Sequence, residues 1–111
     1  MTFQAIFETF QTLPNGTDAY QQLKNECEQA IIRAENPLEH CSLFLIYGFA
    51  KNYVLLYEDQ AVTPVFADKV KAQIVTYMHE LNEALSTKDT SRILTALNNV
   101  SKQYVGSSRI F

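Results

Sequence analysis

The sequence has little cysteine, proline or glycine, only two histidines and no tryptophan. Two Cys, three Pro and three Gly among 111 residues exclude a disulfide-rich scaffold, a collagen-like repeat and a Pro/Gly-rich disordered chain. Nine Lys and Arg against twelve Asp and Glu give a net charge of −3, which argues against a surface that binds nucleic-acid phosphates. What remains is a small, mildly acidic globular domain.

Long apolar runs and export signals are also missing. The most apolar stretch, 42–57, is interrupted by Gly48, Lys51 and Asn52, and it is too short and too polar to span a bilayer. The residues after Met1 include no basic region followed by an apolar run, as a signal peptide would. We therefore predict a cytoplasmic protein that does not bind membranes and that keeps its two cysteines as thiols.

Apolar and aromatic residues are abundant. The chain is 47% hydrophobic and contains seven Phe and six Tyr, enough for one core without metal or disulfide support. Five segments place apolar residues three and four positions apart, and no segment alternates as a strand does. Short connections favour antiparallel neighbours. We predict one all-α domain over 1–111, an antiparallel bundle of four main helices plus a short N-terminal helix.

Cap and turn residues mark the ends of these helices. Pro14-Asn15-Gly16 separates the short first helix from the second, whose N-cap we expect at Thr17 or Asp18. Gly106 is expected to stop the fifth helix. The residues beyond it are predicted to fray unless Ile110 and Phe111 dock against the bundle.

The third helix is the predicted central element, running from about 37 to 59. Asn36-Pro37 and Thr63-Pro64 are N-cap and first-turn pairs that begin the third and fourth helices, and Glu39 completes a capping box. Apolar residues surround most of the third helix, which predicts that its neighbours enclose it. Gly48 costs about 1 kcal/mol of helix propensity relative to Ala, so we expect another helix to cross closely there.

Residues suited to catalysis or metal binding are few and poorly spaced. Glu26, Cys27, His40 and Cys41 flank one predicted turn, but adjacent helical residues point about 100° apart, which hinders a shared metal. His79 lacks a histidine four positions on, and the chain has no Glu-x-x-His, no Gly-x-Ser-x-Gly and no Gly-rich phosphate loop. We predict a non-enzymatic protein without catalytic, cofactor-binding or metal-binding residues.

The tyrosines are too numerous for all of them to be fully buried in so small a bundle. Their rings contact apolar surface while their hydroxyls stay hydrated, which suits a protein interface, although they could equally line the rim of the core. We predict that the third and fourth helices present a Tyr/Phe-rich interface. Its candidate residues are Phe44, Tyr47, Lys51, Tyr53, Tyr57, Phe66 and Tyr77.

These features together favour an interaction module of the adaptor, chaperone or toxin-neutralising inhibitor type. We expect a homodimer, or a protein partner with a basic surface because opposite charge speeds encounter. A second hypothesis is a bundle that binds a small apolar ligand in its core. The residues that would line that cavity are Phe44, Phe49, Tyr53, Ile74 and Met78. A nucleic-acid-associated regulator is a weaker alternative, because the fourth and fifth predicted helices carry only two basic residues each. These residues are Lys69 and Lys71, and Arg92 and Lys102.

Overall fold

The computed structural model describes residues 1–108 and 110–111, and all regular secondary structure in those ranges is helical. This confirms the predicted all-α bundle, while the antiparallel order of neighbouring helices stays a prediction. None of the described helices combines the length and apolar character needed to cross a membrane. The five helices are α1 (Phe3–Thr12), α2 (Thr17–Arg33), α3 (Pro37–Tyr57), α4 (Pro64–Thr87) and α5 (Thr90–Gly106).

Two of the predicted N-caps form the expected hydrogen bonds. The Asn36 side chain accepts a hydrogen bond from the Leu38 amide at 2.9 Å, and the Thr63 hydroxyl accepts one from the Phe66 amide at 3.1 Å. In each case a proline follows in the first turn, where its missing N–H costs nothing. The local sequence therefore sets where α3 and α4 begin.

Helix α2 starts at Thr17, as predicted, but its N-cap is not one of the predicted residues. Its N-cap is Gly16, which has no side chain to cap the helix, and Thr17 is already the first helical residue. Asp18 lies in the first turn, where its carboxylate faces the positive end of the helix dipole. The error is one residue and leaves the order of the helices unchanged.

Charged side chains from two other helices hold both ends of α1. Glu39 Oε1 accepts a hydrogen bond from the Phe3 amide at 3.0 Å, at the first residue of α1. Lys71 Nζ donates to the Leu13 carbonyl and, at 3.4 Å, to the Gln11 carbonyl. The predicted role of Glu39 as the capping-box residue of α3 is thus corrected, since its carboxylate caps a helix 36 residues away.

The core lies where α3 meets the other four helices, all of which contact it. A continuous row of rings runs through one part of this core. Tyr20 stacks on Tyr53 with centroids 3.9 Å apart, and Phe10 contacts Tyr20 at 5.4 Å. Tyr53 contacts Tyr57 at 4.9 Å, and Tyr57 contacts Phe66 at 5.1 Å. Helices α1 to α4 are therefore joined by aromatic contacts.

Neighbouring helices do not enclose α3 on every side, contrary to the prediction. Phe44 and Leu55 are 62% and 72% exposed. A Cβ added at Gly48 would meet nothing within 4 Å, so no other helix crosses closely at this glycine. Four neighbours cover only part of the circumference of α3, and apolar residues remain on the uncovered part.

Candidate functional site

One stripe of α3 faces solvent along most of the helix. Four exposed residues, Cys41, Phe44, Lys51 and Leu55, lie on it with Gly48 at its middle. Their spacings are three, four, three and four residues, which places all five on one side of a helix. We call this stripe the outer face of α3.

Tyr47 borders the outer face and supports its largest side chain. It is half-buried, and its ring stacks on Phe44 with centroids 6.0 Å apart. An exposed Phe held by a neighbouring ring presents apolar area with little rotamer freedom left to lose on binding. Such preorganised aromatic residues often contribute most to an interface.

A groove opens beside the outer face, between α3 and α5. Its volume is about 440 Å³, and apolar atoms dominate its lining. The residues that line it are His40, Cys41, Phe44, Leu45, Leu97 and Ser101. Because Cys41 and Phe44 belong to both, the outer face and this α3–α5 groove form one continuous surface.

The seven predicted interface residues do not form a single surface. Phe44 and Lys51 are exposed on the outer face, and Tyr47 borders it. Tyr57 and Phe66 are half-buried at the other end of α3, where they line a cleft of about 450 Å³ beside the connection to α4. The sequence pattern identified tyrosines on helices correctly but did not tell which of them point outward.

Tyr53 and Tyr77 are core residues, so their predicted place in an exposed interface is corrected. Tyr53 is 0% exposed and Tyr77 is 3% exposed. The Tyr77 hydroxyl accepts a hydrogen bond from Gln73 Nε2 at 2.7 Å, which satisfies it while the ring is buried. Packing against rings of other helices, rather than hydration of the hydroxyl, decided the position of both side chains.

The buried Tyr20–Tyr53 stack carries two phenol groups without a hydrogen-bond partner among the described residues. Burial raises the pKa of the Tyr20 hydroxyl well above its ordinary value, and the nearby Tyr53 adds to the increase. Burial also raises the pKa of Tyr53, with a contribution from Tyr57. Both groups stay neutral at physiological pH and show no feature of an acid or base catalyst.

The two cysteines are free, as predicted, and differ in environment. Cys27 is fully buried, and burial raises the pKa of its thiol to about 12, with a smaller contribution from Glu26. A thiol with so high a pKa is a poor nucleophile at neutral pH. Cys41, by contrast, is exposed on the outer face of α3.

The alternative of a metal-binding or catalytic site gains no support from the geometry of the described residues. No group of three or more His, Cys, Asp or Glu side chains lies close enough to hold a metal among residues 1–108 and 110–111. His40 and His79 are both exposed, and His79 contacts the Phe7 ring at 6.2 Å. We therefore place the candidate site on the surface of α3.

The five residues predicted to line an apolar-ligand cavity are divided between the core and the surface. Phe49, Tyr53, Ile74 and Met78 are each at most 4% exposed, whereas Phe44 is mostly exposed. The clefts beside α3 described above are lined by other residues. These four core side chains therefore do not support ligand binding inside the bundle.

The C-terminal segment docks against α3, α4 and α5. Phe111 is 2% exposed, and its ring contacts those of Phe49, Tyr77 and Tyr104. The sequence predicted that this segment would either fray or dock through its last residues. Phe111 docks. Arg109 lies outside the described residues.

Comparisons with protein-family models, curated proteins and solved structures found no match to this chain. A function is therefore argued from the arrangement of the side chains alone. The arrangement offers an exposed stripe with two large apolar side chains, Phe44 and Leu55, and an apolar groove beside it.

Proposed function

We propose that this protein is a small non-enzymatic interaction module of the adaptor, chaperone or toxin-neutralising inhibitor type. It binds its partner through the outer face of α3. The observation that carries the proposal is the exposure of Phe44 and Leu55, at 62% and 72%, on one stripe of a rigid helix. Burying such side chains contributes about 1.5–3 kcal/mol each. The polar residue Lys51 between them gives the contact a preferred register.

The partner that fits this face first is a second copy of the chain, because the stripe is self-complementary about Gly48. A two-fold axis at Gly48 with the two α3 helices antiparallel sets Leu55 of one copy opposite Cys41 of the other. The same axis brings Lys51 within one residue, about 1.5 Å along the helix, of the position opposite Phe44, so its ammonium group can reach the aromatic face. Such matching is what a two-fold interface requires.

Gly48 has a specific part in this proposal. Without a side chain at the crossing point, two helices can approach more closely than the usual 8–10 Å. Leu55 of the second copy would then reach the α3–α5 groove through its Cys41 side. We also propose a cytoplasmic location and, besides the second copy, a heterologous partner with a basic surface. The net charge of −3 supports the basic partner, because opposite charges attract.

Gly48→Leu tests the proposal because it separates folding from association. Nothing lies within 4 Å of a Cβ at this position, so a side chain can begin here without a clash, and the substitution raises helix propensity. The same side chain blocks the helix crossing. We expect thermal stability at low protein concentration to hold or rise while the dimer dissociation constant increases at least about tenfold, or 1.4 kcal/mol.

The measurement is size-exclusion chromatography with light scattering over a wide range of protein concentration. Phe44→Ser should weaken association as well, and Ile32→Ser is the matched control because Ile32 is 80% exposed but lies on α2. A wild-type chain that stays monomeric at the highest concentration would refute the second copy as partner. Equal association of wild type and Gly48→Leu would refute the crossing at Gly48.

A further inference from the structure

The segment formed by Ile110 and Phe111 contacts the bundle in the way that a bound peptide contacts a receptor. It follows α5 without belonging to any helix. The Tyr57 hydroxyl donates to the Ile110 carbonyl at 2.6 Å, and the Tyr104 hydroxyl donates to the Phe111 carbonyl at 2.6 Å. Backbone oxygens of two consecutive residues outside any helix are thus bound by side chains from α3 and α5.

An aromatic cage receives the Phe111 side chain. The ring meets Phe49 edge to face with centroids 5.3 Å apart, and it lies 5.7 Å from Tyr104 and 6.4 Å from Tyr77. Phe49 also contacts Tyr104 at 4.6 Å and Tyr77 at 5.5 Å, so the cage rings support one another. Edge-to-face geometry favours an aromatic occupant over an aliphatic one of similar size.

The two hydroxyls and the cage together specify a short motif. Hydroxyl donors to backbone carbonyls recognise an extended chain whatever its side chains are, and the cage selects Phe at one position. The position before it needs only an apolar residue, because Ile110 is half-buried. An apolar residue followed by Phe is therefore the minimal ligand.

The surface suited to an extended chain continues past the segment that occupies it here. Tyr57, whose hydroxyl binds Ile110, also lines the cleft of about 450 Å³ at the α3–α4 connection. Ile110 and Phe111 are not among the described residues that line this cleft. A peptide longer than the resident dipeptide can place a further side chain against Leu56, Val62 and Phe66.

We propose that the cage of Phe49, Tyr77 and Tyr104, with the Tyr57 and Tyr104 hydroxyls, is a docking site for an extended apolar-Phe peptide segment of a partner protein. Ile110–Phe111 occupies the site in cis and competes with that segment. This site is separate from the outer face of α3, so it does not depend on the proposed homodimer. A tethered segment has a high effective concentration, and its removal frees the site for the partner.

Phe111→Ala in the full chain tests the competition. The probe is a fluorescent synthetic peptide with the sequence of residues 105–111, amidated so that its last carbonyl resembles one inside a longer chain. Fluorescence anisotropy should show binding to Phe111→Ala at least about tenfold tighter than to wild type, because the resident ring no longer competes. A peptide with Ala in place of the Phe should not bind.

Two further variants distinguish recognition from unspecific adhesion. Tyr57→Phe and Tyr104→Phe, each added to Phe111→Ala, keep the rings and remove one donor, so each should weaken peptide binding severalfold. Ile32→Ser added to Phe111→Ala is the control that should leave binding unchanged. If circular dichroism shows that Phe111→Ala has lost helix, Phe111→Leu replaces it, since Leu keeps apolar contact but vacates the ring position.

The proposal fails if the folded variant and wild type bind the peptide equally. It also fails if neither binds, or if the Ala-substituted peptide binds as well as the Phe peptide. Loss of homodimerisation in the experiments on Gly48 would leave these outcomes unchanged, so the two proposals can be refuted separately.

Discussion

The outer face of α3 and its inner side, which packs against the core, carry the same kinds of residue but differ in how far these residues are exposed. Tyr53 and Phe49 on the inner side are at most 4% exposed and contact rings from other helices. Phe44 and Leu55 on the outer side are more than half exposed. Within one helix, apolar character alone therefore does not distinguish the buried side from the exposed side. What differs is whether another helix of the chain reaches that side.

Truncation of an aromatic residue on each side should give the largest difference. Tyr53→Ala removes a ring that contacts both Tyr20 and Tyr57, and we expect it to lower the free energy of unfolding by about 3–5 kcal/mol. Phe44→Ala should lower that of the monomer by less than about 1 kcal/mol, since its side chain is mostly in water. Urea unfolding at low protein concentration measures both. Similar losses for the two variants would contradict the division of α3 into a buried side and an exposed side.

Alkaline pH should separate the two cysteines. The pKa of the Cys27 thiol rises from 9.0 to about 12 on folding, so its contribution to stability is complete below pH 9 and is lost as the pH rises toward 12. Between pH 9 and pH 10 this group should lower the free energy of unfolding by about 1 kcal/mol. Cys27→Ala should remove that slope in urea unfolding at a series of pH values. The exposed Cys41→Ala is its control and should keep the slope.

Removal of a hydroxyl should give the smallest effect, and with opposite signs at two tyrosines. Tyr53→Phe deletes a buried hydroxyl that has no partner among the described residues, so stability should increase by about 1 kcal/mol. Tyr104→Phe deletes the donor to the Phe111 carbonyl, so stability should decrease by about 1 kcal/mol. Thermal unfolding of the two variants checks the signs. A loss of stability in Tyr53→Phe would show that its hydroxyl has a partner.

The sequence predicted the features that depend on neighbours three or four residues apart. Asn36 and Thr63 cap the helices that their positions before proline indicated, and the apolar spacing located all five helices. It did not predict that Glu39 binds the backbone of α1, or that no helix covers Gly48. These depend on how distant helices meet, and no local pattern records that.

The candidate site was predictable only in part for the same reason. The excess of tyrosine pointed to α3 and α4, and Phe44, Tyr47 and Lys51 do lie on or beside the outer face. Leu55 was not singled out, although its spacing of eleven residues from Phe44 places it on the same side of the helix. Tyr53 and Tyr77 resemble the others in sequence and differ only in what packs against them. Which residues pack against a tyrosine depends on the tertiary structure, and local sequence patterns do not contain it.

The two charged contacts at the ends of α1 bear on the order in which the chain acquires its structure. A helix of ten residues is too short to persist alone in water. The groups that secure α1 lie 36 and 58 residues later in the sequence, so during synthesis Phe3, Phe7 and Phe10 emerge well before Glu39 and Lys71. The α1 segment is therefore synthesised before the two groups that hold its ends. Until α3 and α4 are in place, the three phenylalanines of α1 lack the packing that buries them in the folded chain.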